Sequence, residues 1–258
     1  MMPALSFQSS AFPTTQLPVA IDYPAALALR QMAVVHDELP KYLLAPEVSA
    51  LLYYVPDLHR KMLLATLWNT GARINEALAL TRGDFSLAPP YPFVQLATLK
   101  QRAEKAARTA GRSPAGSQAH RQVPLSDQSY VSQLEMMVAT LKIPLERRNK
   151  RTGRTEKARI WEITDRTVRT WINEAVDAAA ADGVTFSVPV TPHTFRHSYA
   201  MHMLYAGIPL KVLQSLMGHK SISSTEVYTK VFALDVAARH RVQFSMAGAD
   251  AVAMLKIR

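Results

Sequence analysis

The sequence predicts a mainly α-helical fold with a small antiparallel β-sheet, that is, an α+β protein. Three observations indicate this class. Apolar residues recur at helical spacing through most of the chain, two short segments alternate apolar and polar residues as strands do, and 48% of the 258 residues are hydrophobic. A chain of this length can bury one core and a small appended element.

The first predicted elements are an arm and three helices. Residues 1–24 are rich in Pro, Ser, Thr and Gln and have little helical periodicity, so we expect a flexible arm there. Apolar spacing predicts helices near 25–36, from Pro46 and from about Asp57. Gly71 is expected to end the third helix, because glycine tolerates the left-handed conformation of a helix end.

Two segments in the middle of the chain are predicted to pair as strands. Residues 93–99 and 121–125 alternate apolar and polar side chains, and the long connection between them, 101–120, is polar and basic. A helix is predicted over 127–141. Residues 146–159 contain glycine and many basic residues, and we expect a loop there.

Helix-start and helix-stop signals mark the C-terminal part of the chain. Thr164 is placed to cap a helix that begins at about Asp165. Thr191 followed by Pro192 predicts another helix start, because proline is favoured at the first helical position. Gly218 follows an apolar stripe at helical spacing and is expected to end that helix.

The charge of the chain favours a polyanionic partner. Thirty Lys and Arg residues against 20 Asp and Glu residues give a formal net charge of +10, which suits nucleic acid. The absence of cysteine excludes disulfides, zinc–cysteine sites and cysteine nucleophiles, and it fits a reducing cytoplasm. Neither a signal peptide nor a long apolar run is evident, so we expect a bacterial cytoplasmic protein without membrane contact.

The helix predicted after Thr191 carries two residues suited to binding an anion. His193 and Arg196 lie one turn apart on the same side of the helix, so both side chains can face one phosphate. The N-terminus of a helix also offers free N–H groups and a partial positive charge. Taken alone, His193 would more often be a capping or core histidine.

A second group of candidate residues follows Gly218. His219 lies just past the predicted helix end, where it could turn towards a bound phosphate. Ser223 and Glu226 fit a capping box, which predicts a short helix with Tyr228 in its second turn.

Two further cations lie upstream. Arg73 follows the helix-ending glycine and opens a segment whose apolar residues face the core, so its guanidinium can be held rigidly, as bidentate phosphate binding requires. Lys100 stands at the end of the first predicted strand, in a basic stretch where neighbouring residues compete for the same role.

These residue types suit the cleavage of a phosphodiester by a tyrosine. Such a reaction needs no metal if the protein supplies cations for the non-bridging oxygens and proton carriers for the attacking and leaving oxygens. The histidines lack carboxylate or cysteine partners at the spacing of metal ligands. We therefore expect no metal and no other cofactor.

In order along the chain, the stretches Thr70-Gly71-Ala72-Arg73, His193-Thr194-Phe195-Arg196, Leu216-Met217-Gly218-His219 and then Tyr228 resemble the tyrosine recombinases, the family of phage integrases and Xer-type resolvases. The resemblance runs over roughly residues 46–230. It implies the tyrosine recombinase catalytic-domain fold and a site-specific recombinase that cuts and rejoins DNA through a 3′-phosphotyrosyl intermediate. The catalytic residues it implies are Arg73, Lys100, His193, Arg196, His219 and Tyr228.

The resemblance also implies a role for each supporting residue. Arg73 and Arg196 would grip the scissile phosphate, and Lys100 would donate a proton to the departing 5′ oxygen. His193 would take the proton of the attacking tyrosine. Glu76, which matches an acidic position near the first arginine, would orient neighbouring groups.

The domain organisation that the resemblance implies has four parts. The arm over 1–24 is followed by a short helical lead-in over 25–45, where the helical clamp of relatives is reduced or absent. The catalytic domain spans 46–234. The tail over 235–258 is expected to pack on a neighbouring protomer, so that a homotetramer forms on double-stranded DNA, with accessory proteins possible.

Additional DNA contacts are expected from the basic segments 100–121 and 146–159, with flexible surface loops as the alternative. The candidates are Arg102, Lys105, Arg121, Arg147, Arg148, Lys150, Arg151 and Arg154. The short build is similar to that of plasmid-encoded resolvases, so plasmid multimer resolution or integration is the expected role. Two alternatives are a catalytically inactive DNA-binding regulator of the same fold and an enzyme with type IB topoisomerase-like activity.

Overall fold

The structure is a computed structural model that describes residues 24, 26–28, 30–31, 40–97, 120–149, 152–186, 188–240, 247–249, 252 and 254, with the backbone alone at 231 and 234–240. Except for residue 24, the arm predicted over 1–24 falls outside these residues, as does most of the tail over 235–258. So do five of the predicted site residues, which are Lys100, Arg102, Lys105, Lys150 and Arg151.

Helices form most of the described structure, as predicted. Between residues 45 and 240 they are α1 (Ala45–Tyr53), α2 (Leu58–Thr70), α3 (Ile74–Leu78), α4 (Gln128–Thr140), α5 (Asp165–Ala181), α6 (Pro192–Tyr205), α7 (Leu210–Met217) and α8 (Ser223–His240). A 3-10 turn covers Arg82–Asp84. Residues 26–28, 30 and 31 are also helical, within the predicted lead-in helix, and so is residue 24, which was predicted to belong to the flexible arm. Among the helices described, none is long and apolar enough to span a bilayer.

A small antiparallel sheet lies beside the helices. Its strands are β1 (Phe85–Ser86), β2 (Phe93–Ala97) and β3 (His120–Pro124), in the order β1-β2-β3. In the register of β2 and β3, Phe93 faces Pro124 and Ala97 faces His120. The two predicted strands and the α+β class are thus confirmed. Strand β1 was not predicted, because two residues are too few to show an alternating pattern.

The segment 146–159, predicted as a loop, instead contains a second, two-stranded sheet. Strands β4 (Glu146–Arg148) and β5 (Thr155–Lys157) pair antiparallel, with Glu146 opposite Lys157. The prediction was wrong because both strands consist of polar and charged residues, so no apolar alternation reveals them. A cross-strand ion pair between Arg147 and Glu156, 2.9 Å long, adds a contact that one strand cannot make alone.

Helix α2 lies at the centre of the core. Met62, Leu63, Leu64 and Leu67 are each at most 1% exposed, and the helix is buried on nearly every side. A helix surrounded by protein needs no polar face, which explains why its apolar residues do not form a single stripe. Helix α6 packs directly against it and contributes the fully buried Phe195.

The predicted helix boundaries hold at four places and fail at one. Thr164 and Thr191 accept hydrogen bonds from the N–H groups three residues ahead, at 3.2 and 3.1 Å, as N-caps do. Gly71 and Gly218 end α2 and α7 with φ of 58° and 63°. The predicted capping box at Ser223 is wrong, since that residue already belongs to α8, and this helix has 18 residues rather than being short.

Gly71 is needed at its position for two separate reasons. Its φ is positive, and a Cβ placed there would overlap the ring of Tyr199 on α6. Gly183, which follows α5, has a φ of 79° but no atom within 4 Å of the place of a Cβ. Substitutions at these two glycines therefore distinguish the cost of backbone strain alone from the cost of strain together with steric overlap.

We expect Gly183→Ala to lower the free energy of unfolding by about 1 kcal/mol, which is the cost of the left-handed conformation. Gly71→Ala should cost about 2 kcal/mol more, because Tyr199 must also move. Urea denaturation of both variants and the wild type measures the difference. Equal losses in the two variants would show that the contact between Gly71 and Tyr199 does not constrain the packing of α2 on α6.

Candidate active site

The carboxylate of Glu76 organises the upstream half of the site. This side chain is buried, and Arg73 binds it twice, through its backbone N–H at 2.9 Å and its guanidinium at 2.8 Å. Arg121, on β3, donates to the same carboxylate at 2.6 Å. Burial alone raises the pKa of Glu76, but the hydrogen bond and charge of Arg121 and those of Arg73 outweigh it, so the pKa is lowered.

The guanidinium of Arg196 joins the ends of two helices. It is 3% exposed and donates to the carbonyl oxygen of Gly71 at 2.5 Å and to that of Met217 at 2.6 Å. Both carbonyls lie at helix C-termini, where the last carbonyl groups lack helical partners and the helix dipole favours a cation. The left-handed glycines that end α2 and α7 thus make both acceptors available to one arginine.

Tyr228, on α8, lies with its hydroxyl against a histidine. The side chain is 2% exposed, and its hydroxyl is 3.0 Å from Nδ1 of His197. The His197 ring also contacts the ring of His193, with 4.3 Å between the centroids. Burial raises the pKa of Tyr228 to about 12, although the positive charges of Arg196 and Arg73 act in the opposite direction.

His219 follows the end of α7 and is held by the helix that carries Tyr228. Its Nδ1 is 2.9 Å from the hydroxyl of Thr225, which is fully buried. Its backbone N–H donates to Gln214, which in turn donates from its side chain to the carbonyl oxygen of His219. With Nδ1 occupied, Nε2 is the ring nitrogen left to meet a ligand.

The pKa values of the histidines of the site are lowered, which favours neutral imidazoles at pH 7. Burial, followed by the charges of Arg196, Arg73 and Arg121, lowers the pKa of His219 to about 4. Partial desolvation and the charges of Arg196 and Arg73 also lower the pKa of the more exposed His193. Neutral imidazoles can accept a proton or donate a hydrogen bond, which suits them to proton transfer beside a phosphate.

The structure brings five of the six predicted catalytic residues into one neighbourhood, and the sixth, Lys100, lies outside the described residues. The five are Arg73, His193, Arg196, His219 and Tyr228. Sequence reasoning missed His197. Its spacing from His193 could have revealed it, because residues four apart share one face of a helix.

The predicted DNA-contacting residues that the structure describes fall into three situations. Arg121 is 8% exposed and bound inside the site. Arg147 is paired with Glu156 and with Glu162. Arg148 and Arg154 are exposed on the β4–β5 hairpin.

The burial of His197 makes stability depend on pH. Burial, followed by the charges of His193, Arg196 and His219, lowers the pKa of His197 to about 3. In the unfolded chain a histidine titrates near 6.5, so the unfolded state binds one more proton between these values. The free energy of unfolding therefore falls as the pH is lowered below about 6.5.

We expect the wild type to lose about 2 kcal/mol more than His197→Asn between pH 7 and pH 5. Asparagine places an oxygen acceptor near the position of Nδ1 but does not titrate. Urea denaturation at the two pH values measures the loss in each protein, and other titrating groups contribute equally to both. An equal loss in both would show that His197 is not held in the neutral state.

Comparison with known proteins places the chain. The model of the phage integrase family matches residues 41–234. A resolvase of Escherichia coli is 90% identical over 243 residues, covering 94% of each chain, and a resolvase of Escherichia coli strain K12 is 87% identical, covering 99% of this chain and 94% of the other. Among solved structures, the XerH site-specific recombinase bound to a palindromic difH substrate matches with a TM-score of 0.55 and 18% sequence identity. This match covers 79% of this chain and 53% of the XerH chain, so the chain spans about half the length of XerH. The chain therefore belongs to the phage integrase family of site-specific tyrosine recombinases.

Proposed function

We propose that this protein is a DNA resolvase, which cuts and rejoins double-stranded DNA at a specific site through a 3′-phosphotyrosyl intermediate. The observation that carries the proposal is the position of the Tyr228 hydroxyl within the charges of Arg73 and Arg196 and beside His197 of α6. A tyrosine selected only for core packing would not need two arginines and an imidazole around it.

The cleavage step uses groups of this chain alone. The oxygen of Tyr228 attacks the scissile phosphorus, and the bond from phosphorus to the 5′ oxygen breaks. The proton of the phenol passes to a neutral histidine, with His193 the acceptor that the family resemblance implies. The departing 5′ oxygen takes a proton, for which Lys100 is the proposed donor. Attack by the 5′ hydroxyl of another strand reverses the step, so the energy of the bond is kept and no ATP is needed.

The remaining cations stabilise the charge on the phosphate oxygens. Arg73, whose side chain is 34% exposed, has room to bind an incoming phosphate while its other contacts hold it to Glu76. Nε2 of His219 can donate a hydrogen bond to the same group. Electrostatic donors that are already in position lower the barrier because they need not reorganise during the reaction.

The described arrangement corresponds to a resting state of the nucleophile. Tyr228 is buried and its hydroxyl is bound to His197, so it has to leave this contact before it reaches a phosphate. The nucleophile is carried by α8, close to the tail that follows it. We propose that DNA binding and the packing of the tail over 235–258 on a neighbouring protomer, within a homotetramer, release the hydroxyl.

Two features support double-stranded DNA as the partner. The chain has a net charge of +10, and Arg148 and Arg154 are exposed on the β4–β5 hairpin. Arginine contacts to phosphates are independent of sequence and weaken with salt. We propose that residues 46–234 form the catalytic domain and that this hairpin adds contacts to the DNA backbone.

The biological role is proposed from the names of the relatives. Two proteins of Escherichia coli that match this chain almost end to end are named resolvase. We propose that the protein resolves multimers of a plasmid into single copies by recombining directly repeated sites. When the wild type is incubated with a plasmid that carries two direct copies of the DNA site it cleaves, we expect two smaller circles as products. Relaxation of the plasmid without new circles would indicate a topoisomerase.

The first test is the formation of a covalent adduct. We expect the wild type, incubated in EDTA with plasmid DNA from the bacterium that carries its gene, to give protein–DNA adducts that resist SDS. Tyr228→Phe should give none, because it lacks the nucleophile. Tyr91→Phe is the matched control, since Tyr91 is 84% exposed, and it should form adducts as the wild type does.

Two results would contradict this assignment. Adducts formed by Tyr228→Phe would mean that another residue is the nucleophile. DNA binding without any adduct from the wild type would favour the inactive DNA-binding regulator.

A second test concerns the β4–β5 hairpin. Arg148→Gln and Arg154→Gln should each reduce the slope of log K against log salt by about 1 on a 30-bp duplex of arbitrary sequence, because each removes one phosphate contact. Arg169→Gln is the control, since Arg169 pairs with Asp165 on α5. Slopes equal to that of the wild type would remove the hairpin from the DNA interface.

A further inference from the structure

We propose that Arg121 is a positioning residue of the recombinase, which holds the phosphate-binding Arg73 and the turn of His219 in register with each other. The inference rests on the proposed function and deepens it. In this role Arg121 does not contact the DNA itself. It acts by holding Arg73 and His219, the groups proposed to contact the phosphate.

The contacts of Arg121 reach both halves of the site. Its Nη2 donates to the Glu76 carboxylate at 2.6 Å, and that carboxylate accepts two hydrogen bonds from Arg73. Its Nε donates to the carbonyl oxygen of Leu216 at 2.8 Å. One planar guanidinium thus binds the upstream arginine motif and the end of α7.

The end of α7 is bound by two arginines on consecutive carbonyl groups. Arg121 binds the carbonyl of Leu216, and Arg196 binds that of Met217. His219 follows two residues later, after Gly218. Because the last carbonyls of a helix have no helical partners, these two hydrogen bonds fix the direction in which the chain leaves the helix.

The packing around Arg121 leaves its side chain little freedom. A Cβ on Gly218 would lie 3.0 Å from both Cδ and Nη1 of Arg121, so the glycine makes room for the arginine. The side chain is 8% exposed, and its Nη1 has no hydrogen-bond partner among the described residues. A buried charge of this kind is retained at a cost, so an ion pair that served stability alone would be a poor explanation for it.

Arg121 also links the site to the β2–β3 hairpin. It lies on β3 opposite Leu96 of β2, and the proposed proton donor Lys100 follows β2 in the chain. If this hairpin shifted, the hydrogen bonds to Glu76 and to Leu216 would therefore change together, because the side chain of Arg121 makes both.

The test compares Arg121→Lys and Arg121→Gln with the control Arg169→Gln, which also removes an ion-paired arginine. Lysine keeps the charge beside Glu76, so the fold should tolerate it. Its single ammonium cannot reproduce the fork that reaches two acceptors in different directions. The variants are assayed on the DNA fragment that the wild type captures most often as a covalent adduct.

We expect both Arg121 variants to lower the rate of adduct formation at saturating DNA by about 10²-fold, the loss that follows when reacting groups are displaced by about 1 Å. The affinity for DNA should stay within twofold of the wild type, and its salt slope should be unchanged. Thermal unfolding of each variant sets the assay temperature well below its midpoint. The control should behave as the wild type throughout.

Three results would overturn the proposal. Wild-type cleavage by Arg121→Lys would mean that the charge serves the fold alone. A salt slope reduced by about 0.9, with an unchanged rate at saturation, would make Arg121 a phosphate contact. Cleavage rates near that of the wild type in both variants would exclude any role in the site.

A measurement without DNA tests the positioning role of Arg121 independently of the proposed reaction. NMR spectra of protein with labelled histidine should show a displaced ring resonance of His219 in both Arg121 variants. The ring of His59, which is bound to the carbonyl oxygen of Ile160, should be unchanged. An unmoved His219 would overturn the positioning role even if the wild type cleaves DNA, and a displaced His219 would support it even if no adduct forms.

Discussion

The buried guanidinium of Arg196 is the constraint on which the rest of the site depends. It binds the carbonyl oxygens of Gly71 and Met217, which close two helices that are far apart in sequence. Those helix ends are followed by Arg73 and His219. A single side chain therefore fixes the places where the chain turns towards the site from two directions, and the rigid fork of arginine is suited to this.

The burial of several cations in one place has a consequence for the neighbouring imidazoles. Burial and the nearby arginines lower the pKa values of His193, His197 and His219, which favours neutral imidazoles beside the guanidinium groups of Arg73 and Arg196. The site then contains permanent positive charge for a phosphate together with neutral groups that can exchange protons. Glu76 is the one buried carboxylate that the described residues place among these cations, and it binds arginines rather than facing the nucleophile.

Much of the fold could be predicted because its signals are local. The caps at Thr164 and Thr191, the left-handed Gly71 and Gly218, and the paired strands β2 and β3 all follow from a few neighbouring residues. The hairpin β4–β5 could not be predicted in this way, because strands made of polar and charged residues show no apolar alternation. The length of α8 was also missed, since its sequence contains no clear stop signal near Tyr228.

For the site, the sequence by itself determined which kinds of chemistry were available and which motifs carry them, because the ordered set of arginines, histidines and a tyrosine is local to each motif. Only the tertiary structure decided the partners. It paired Glu76 with Arg121 across 45 residues, and it set His197 rather than His193 against the Tyr228 hydroxyl. Such contacts depend on how helices and strands pack in three dimensions. No periodicity along the chain encodes the choice between two histidines on the same helix face, or between a surface arginine and a buried one.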